Sequence, residues 1–139
     1  MKFKLIGIDY GEVNVGLAIA TTELAEPVRV VDKKEAMGVI QAMVDGQKSD
    51  AIVLGVSEGK MAQKTLEFGR QLKLFSGKPV YLQDETLSSK STRKKMAEGT
   101  VGRVRREGLT DHYVAAEILQ AFIDENLPLE DLPNLGKIE

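Results

Sequence analysis

The rhythm of apolar and polar positions changes several times along this chain, and each change marks an element. Phe3 to Asp9 is a strand-like run, and Val15 to Thr21 is a second. The link between them, Gly11 to Asn14, has the glycine and asparagine that tolerate positive φ in a tight hairpin. Val28 to Val31, just after Pro27, is a third strand. Three strands with short links predict an antiparallel meander. The period then becomes helical. Asp32 stands where it can cap a helix over Lys33 to Asp45, with Ala36, Val39, Ile40 and Met43 on one face. Ala51 to Val56 is unbroken apolar sequence, as in a strand covered on both sides. A helix follows over Lys60 to Phe75, ending near Gly77, and then a strand over Pro79 to Gln83. Ser88 to Glu98 reads as a helix with a basic face. Thr110 can cap a last helix, Asp111 to Glu125, whose Val114, Ala115, Ile118, Leu119 and Phe122 face a core.

The order β-β-β-α-β-α-β-α-α predicts an α/β fold: one five-stranded mixed sheet with helices on both faces. A chain of 139 residues suits one domain, expected over residues 1–126. Residues 127–139 hold two prolines and an acidic cluster, and are expected to form a poorly ordered tail.

Composition narrows the chemistry. There is no cysteine, which excludes disulfides and cysteine-ligated zinc. Neither a signal peptide nor a membrane-spanning run is visible, so the expected location is the cytoplasm, with no membrane partner. Net charge is −2, but it is unevenly spread. Lys90, Arg93, Lys94, Lys95, Arg103, Arg105 and Arg106 fall in one stretch with a single acid, Glu98. That stretch carries +6, which leaves −8 for the rest: an acidic body with one basic strap. A solvated helix face is the plain use of such a strap; contact with nucleic-acid phosphates is the functional one. No stacking motif for base readout accompanies it.

The acids stand at ends of elements. Asp9 closes the first strand, Asp84 and Glu85 follow the fifth, and Asp111 opens the last helix. Each has a plain use when taken alone: Asp9 can hold the Gly11 turn, and Asp111 can start a helix. Together they suggest a gathering of carboxylates, which repel one another unless a cation is present. Oxygen ligands without cysteine or a usable histidine favour Mg²⁺ or Mn²⁺. Strand alternation puts Val80, Leu82 and Asp84 on one face and Tyr81, Gln83 and Glu85 on the other. His112, the one histidine, adjoins Asp111; a surface or packing role is its plain use and a proton shuttle its functional one.

Three motifs, "GIDYGEVNVGLAIA", "DETLSS" and "DHYVAAEILQAF", resemble the YqgF (RuvX) family. Its members are described as pre-16S rRNA nucleases and as Holliday-junction-resolvase-like proteins. The resemblance runs from about Lys4 to Asp124. It implies an RNase H-like fold and two-metal hydrolysis of phosphodiesters, with Asp9, Glu85 and Asp111 as catalytic residues and Asp9, Asp84, Glu85 and Asp111 as the metal-binding set. It points to Glu85 over Asp84 as the direct ligand. It also implies a nucleic-acid partner, pre-rRNA or branched DNA. Whether the protein works as a monomer or a homodimer stays open. Two segments depart from the family pattern: Gly55-Val56-Ser57 stands for Gly-Leu-Pro, and Thr86 stands for the arginine after the acidic pair. Two rival functions compete with a nuclease. An actin-like ATPase needs two such lobes, and the chain holds one. A non-catalytic nucleic-acid-binding or ribosome-assembly factor would be under no pressure to keep every acid of the motif.

Overall fold

A computed structural model describes residues 1–56, 59–84, 111–134 and 136–139. The strands are β1 (Leu5–Tyr10), β2 (Asn14–Ala20), β3 (Glu26–Asp32), β4 (Ala51–Val56) and β5 (Val80–Asp84). The helices are α1 (Lys33–Gln47), α2 (Met61–Ser76) and α3 (Asp111–Glu125). The expected helix over Ser88 to Glu98 lies outside the described residues, as do Glu85 and the whole basic strap.

The sheet order is β3-β2-β1-β4-β5. The first three strands pair antiparallel, while β4 lies parallel to β1 and β5 parallel to β4. The expected mixed sheet therefore forms, with β4 between β1 and β5. The last turn of each central parallel strand comes out at the same end of the sheet.

Side-chain alternation sorts the strand residues onto two faces. Ile6, Ile8, Leu17, Ile52, Leu54 and Val80 pack with Ala36, Ile40 and Val44 of α1 and Phe68 and Leu72 of α2. Leu5, Ala18, Ala20, Val53 and Tyr81 pack with Val114, Ala115, Ile118, Leu119 and Phe122 of α3. Helix ends are capped as their residues allow. The Asp32 carboxylate accepts from the Lys34 N–H at 2.8 Å. Gly77, at φ +71°, closes α2 by donating its N–H to the Lys73 carbonyl at 3.0 Å.

Two details differ from the sequence expectation. Strand β3 begins at Glu26, ahead of Pro27, with a register shift opposite Leu17 and Ala18. It is an edge strand, and an edge tolerates a residue with no N–H to give. The segment after α3 also differs from the poorly ordered tail that its prolines and acids suggest. Leu129 and Ile138 are both buried. The Leu82 N–H donates to the Gly136 carbonyl at 2.6 Å, and the Ile138 N–H donates to the Val80 carbonyl at 2.7 Å. The segment thus lies along β5 and covers what would be a bare sheet edge.

Candidate active site

Asp9 stands on the α3 face of the sheet, one residue before β1 ends, and is 7% exposed. Its cross-strand partner is Gly16 of β2. A side chain at Gly16 has no room: a Cβ there would run into the carbonyl group of Asp111. The missing side chain lets the first turn of α3 settle directly on β2. One strand pairing therefore brings two acids 102 positions apart in the chain to the same corner of one face.

Gly7 does the same work one turn further on. A Cβ at Gly7 would lie 2.7 Å from Cβ of Leu119 and 2.9 Å from the Ala115 carbonyl oxygen. From there α3 crosses the sheet diagonally. Phe122 meets Tyr81 of β5 with ring centroids 5.3 Å apart. The Gln83 amide then donates to both carboxylate oxygens of Glu125 at 3.1 Å. This far anchor, with the two glycines, sets the position of α3 along its length and so the position of Asp111.

Asp84 is exposed and pairs in register with Val56, on the face carrying Val80 and Leu82. That is the α1 and α2 face, opposite to Asp9. Each of Asp9, Asp84 and Asp111 interacts with a neighbouring group. Among the described residues, no three of His, Cys, Asp and Glu gather as a metal-binding group. The pair that the fold does bring to one corner, Asp9 and Asp111, is all oxygen. A buried carboxylate beside a second acid fits a hard divalent cation such as Mg²⁺ or Mn²⁺. Asp9 and Asp111 would hold it, and Glu85, next in the chain after Asp84, lies outside the described residues.

Around this corner, His112 has its Nδ1 buried with no hydrogen-bond partner among the described residues, and its ring lies 4.2 Å from that of Tyr113. Burial pushes its pKa below the ordinary imidazole value, which keeps the ring neutral. Tyr10 turns to the opposite face from Asp9. Its ring stacks on Phe68 at 4.2 Å, and the Lys33 ammonium sits 4.9 Å from its centroid. Tyr10 thereby closes the α1 and α2 layer at the same end of the sheet.

Sequence reasoning singled out the acids and overlooked Gly16 and Glu125. A signal for Gly16 was present: a glycine inside an otherwise apolar strand often marks the close approach of another backbone.

A family profile described as RuvX, Holliday junction resolvase, matches residues 3–125. The chain belongs to the RuvX family. Among its RuvX-like relatives, a Desulfitobacterium hafniense protein named "Putative pre-16S rRNA nuclease" is 32% identical over 130 residues. The match covers 87% of this chain and 92% of that one. A protein of the same name from Syntrophus aciditrophicus is 29% identical over 132 residues, 87% of this chain and 88% of that one. Among solved structures, Thermus thermophilus RuvC in complex with a Holliday junction superposes with a TM-score of 0.55 at 17% identity. It covers 91% of this chain and 96% of its own. The fowlpox virus resolvase with Holliday junction DNA gives 0.55 at 14% identity, over 89% and 99%. The RuvX chain thus has the RNase H-like fold that its motifs imply. No helix among its described residues is long and apolar enough to cross a membrane.

Proposed function

We propose that this RuvX protein is a divalent-metal-dependent nuclease that hydrolyses phosphodiester bonds of structured nucleic acid. The observation that carries the reading is the Asp9–Gly16–Asp111 corner, where a buried strand-end acid and a helix-start acid are brought to one face. Asp9, Glu85 and Asp111 are the proposed metal ligands. Asp84, on the opposite face, is left to orient water or support the chain that follows. Bound Mg²⁺ or Mn²⁺ supplies charge stabilisation at the phosphate and makes water a stronger nucleophile. The protein's part is to hold carboxylates in fixed positions and keep the corner dry on its inner side. No side-chain nucleophile is required, which accords with a chain free of cysteine. The proposed phosphate contacts flanking the site are Lys90, Arg93, Lys94, Lys95, Arg103, Arg105 and Arg106.

The relatives' name favours precursor 16S rRNA as substrate, and maturation of its 5′ end is the reaction we propose on it. The family description favours four-way junction DNA. Cleavage of a labelled precursor rRNA fragment, a four-way junction and a plain duplex, each with Mg²⁺, Mn²⁺ or chelator, tests the proposal and separates the substrates. Metal-dependent cleavage of either structured substrate, lost in Asp9→Asn, is the expected result. Tight binding without cleavage by the wild-type protein under any metal would mean a non-catalytic assembly factor.

A further inference from the structure

The end of the sheet that carries Asp9 has a second recess, on the opposite face. Tyr10 follows Asp9 in β1, and its ring lies with Phe68 of α2. The two rings line a cleft of about 410 Å³. Lys33, the first residue of α1, and Lys64, in the first turn of α2, bring two cations to it.

Strand directions explain the position. β1 and β3 are both antiparallel to β2, so they run the same way, and β4 is parallel to β1. Helix α1 follows β3 and α2 follows β4, so both helices start at the end where Asp9 stands. The Lys33 N–H donates to the Val13 carbonyl at 2.9 Å, which ties the start of α1 to the β1–β2 turn. Neighbouring Cα atoms are about 3.8 Å apart. Only the end of β1 therefore separates this cleft from the acidic corner.

The cations of the cleft are open to a ligand. The Lys33 ammonium lies 4.9 Å from the Tyr10 ring centroid. That contact uses the ring face and takes up no oxygen acceptor. Neither Lys33 nor Lys64 forms an ion pair with any described residue. Glu67, the single acid among the described residues that line the cleft, lies 3.6 Å from Arg70. The exposed amides of Gln63 and Gln71 add neutral donors.

Two lysines alone would suit any anion; position narrows the choice. A phosphodiester at the Asp9 corner belongs to a polymer with one charge per about 3.4 Å of axis on each strand. Further phosphates of that polymer lie within reach of both faces of the strand end. We propose that this cleft holds backbone phosphates of the nucleic acid bound at the corner, with Lys33 and Lys64 as the contacts. Such contacts position a strand without reading its sequence. The identity of the ligand rests on the nuclease reading.

The test is fluorescence anisotropy on the full-length Asp9→Asn protein, which leaves the probe uncut. The probes are a labelled precursor rRNA fragment and a labelled four-way junction. Lys33→Gln with Lys64→Gln should weaken binding of the preferred probe at least about tenfold. The slope of log K against log salt should fall by about 1.4 to 1.8, or 0.7 to 0.9 per contact. Lys33→Arg with Lys64→Arg keeps the charge and should restore both. Lys78→Gln with Lys137→Gln removes the same charge at the other end of the sheet, where β5 begins. That control should keep binding and slope close to the wild-type values. An unchanged melting temperature checks the fold. Wild-type affinity and slope in the Lys33 and Lys64 pair overturn the inference, as does an equal loss in the control. If the wild-type protein cuts while that pair binds normally, the nuclease reading stands and the inference falls. If the pair loses binding as expected but the wild-type protein cuts nothing, the nuclease reading fails and the cleft stands.

Discussion

The two faces of the sheet are packed with different materials. Against α1 and α2 the strands present Ile6, Ile8, Leu17, Ile52 and Leu54, all fully buried, and the helices are held off by full-sized aliphatic side chains. Against α3 they present, beside Leu5, Val53 and Tyr81, the small residues Gly7, Gly16, Ala18, Ala20 and Ala51, and over the two glycines the helix comes down almost to the backbone. The first face is an ordinary core, where stability comes from buried apolar area and volume. On the second face, some of that area is given up for closeness. What the closeness delivers is the Asp111 backbone on Gly16, the strand partner of Asp9. A full-sized side chain at Gly16 or Gly7 would lift α3, and Asp111 with it, away from the strands. The difference teaches that on this sheet the small residues are positioning elements for the site, and the large ones hold the fold together.

Substitutions on the two faces should therefore fail in different ways. The largest loss of stability is expected for Gly16→Val, whose side chain would have to displace the Asp111 peptide itself. Backbone yields less readily than a side-chain tip, so the cost should reach or exceed the about 3 kcal/mol upper range for overpacking. Thermal unfolding should show a much lower midpoint, and any folded remainder should be inactive. Gly7→Ala meets Leu119 and the Ala115 carbonyl at 2.7 and 2.9 Å. It should cost about 1–3 kcal/mol and shift α3, so nuclease activity per folded molecule should fall as well. Ile40→Val, fully buried on the α1 side, should cost about 1 kcal/mol and leave activity per folded molecule unchanged. A matched loss of activity in Ile40→Val would erase the proposed division of labour. The smallest effect is expected at Gly38, an exposed glycine inside α1, where an added Cβ would have no atom within 4 Å. Gly38→Ala should stabilise by about 0.5–1 kcal/mol through helix propensity alone, with unchanged activity.

Much of this was legible before any coordinates. The hydrophobic rhythm located all five strands and the three described helices because each is long or strongly periodic. Asp9 and Asp111 stood out because they interrupt that rhythm at element ends. Their meeting was not legible in the same way. It depends on a register, Asp9 opposite Gly16, and on a glycine whose purpose appears only when the helix above it is in place. The docking of the last segment was missed because its anchors, Leu129 and Ile138, stand among prolines, acids and scattered leucines that form no helical or strand period. A cluster of cations was missed for a similar reason: Lys137 lies far along the chain from Arg70, Lys73 and Lys78, and the fold brings all four around one cavity.

The central claim is that Asp9 and Asp111 act as one carboxylate unit on a divalent ion. A double-mutant cycle measures that directly: Asp9→Asn, Asp111→Asn and the double variant, each followed by cleavage rate and by the rise in melting temperature on adding Mn²⁺. Either single change should reduce cleavage by more than the 10–100-fold typical of losing an outer partner of a metal site, and should abolish most of the Mn²⁺ stabilisation. The double variant should be scarcely worse than either single one, as expected for residues that work as a unit. Independent, multiplying losses, or a full Mn²⁺ response in either single variant, would contradict the account.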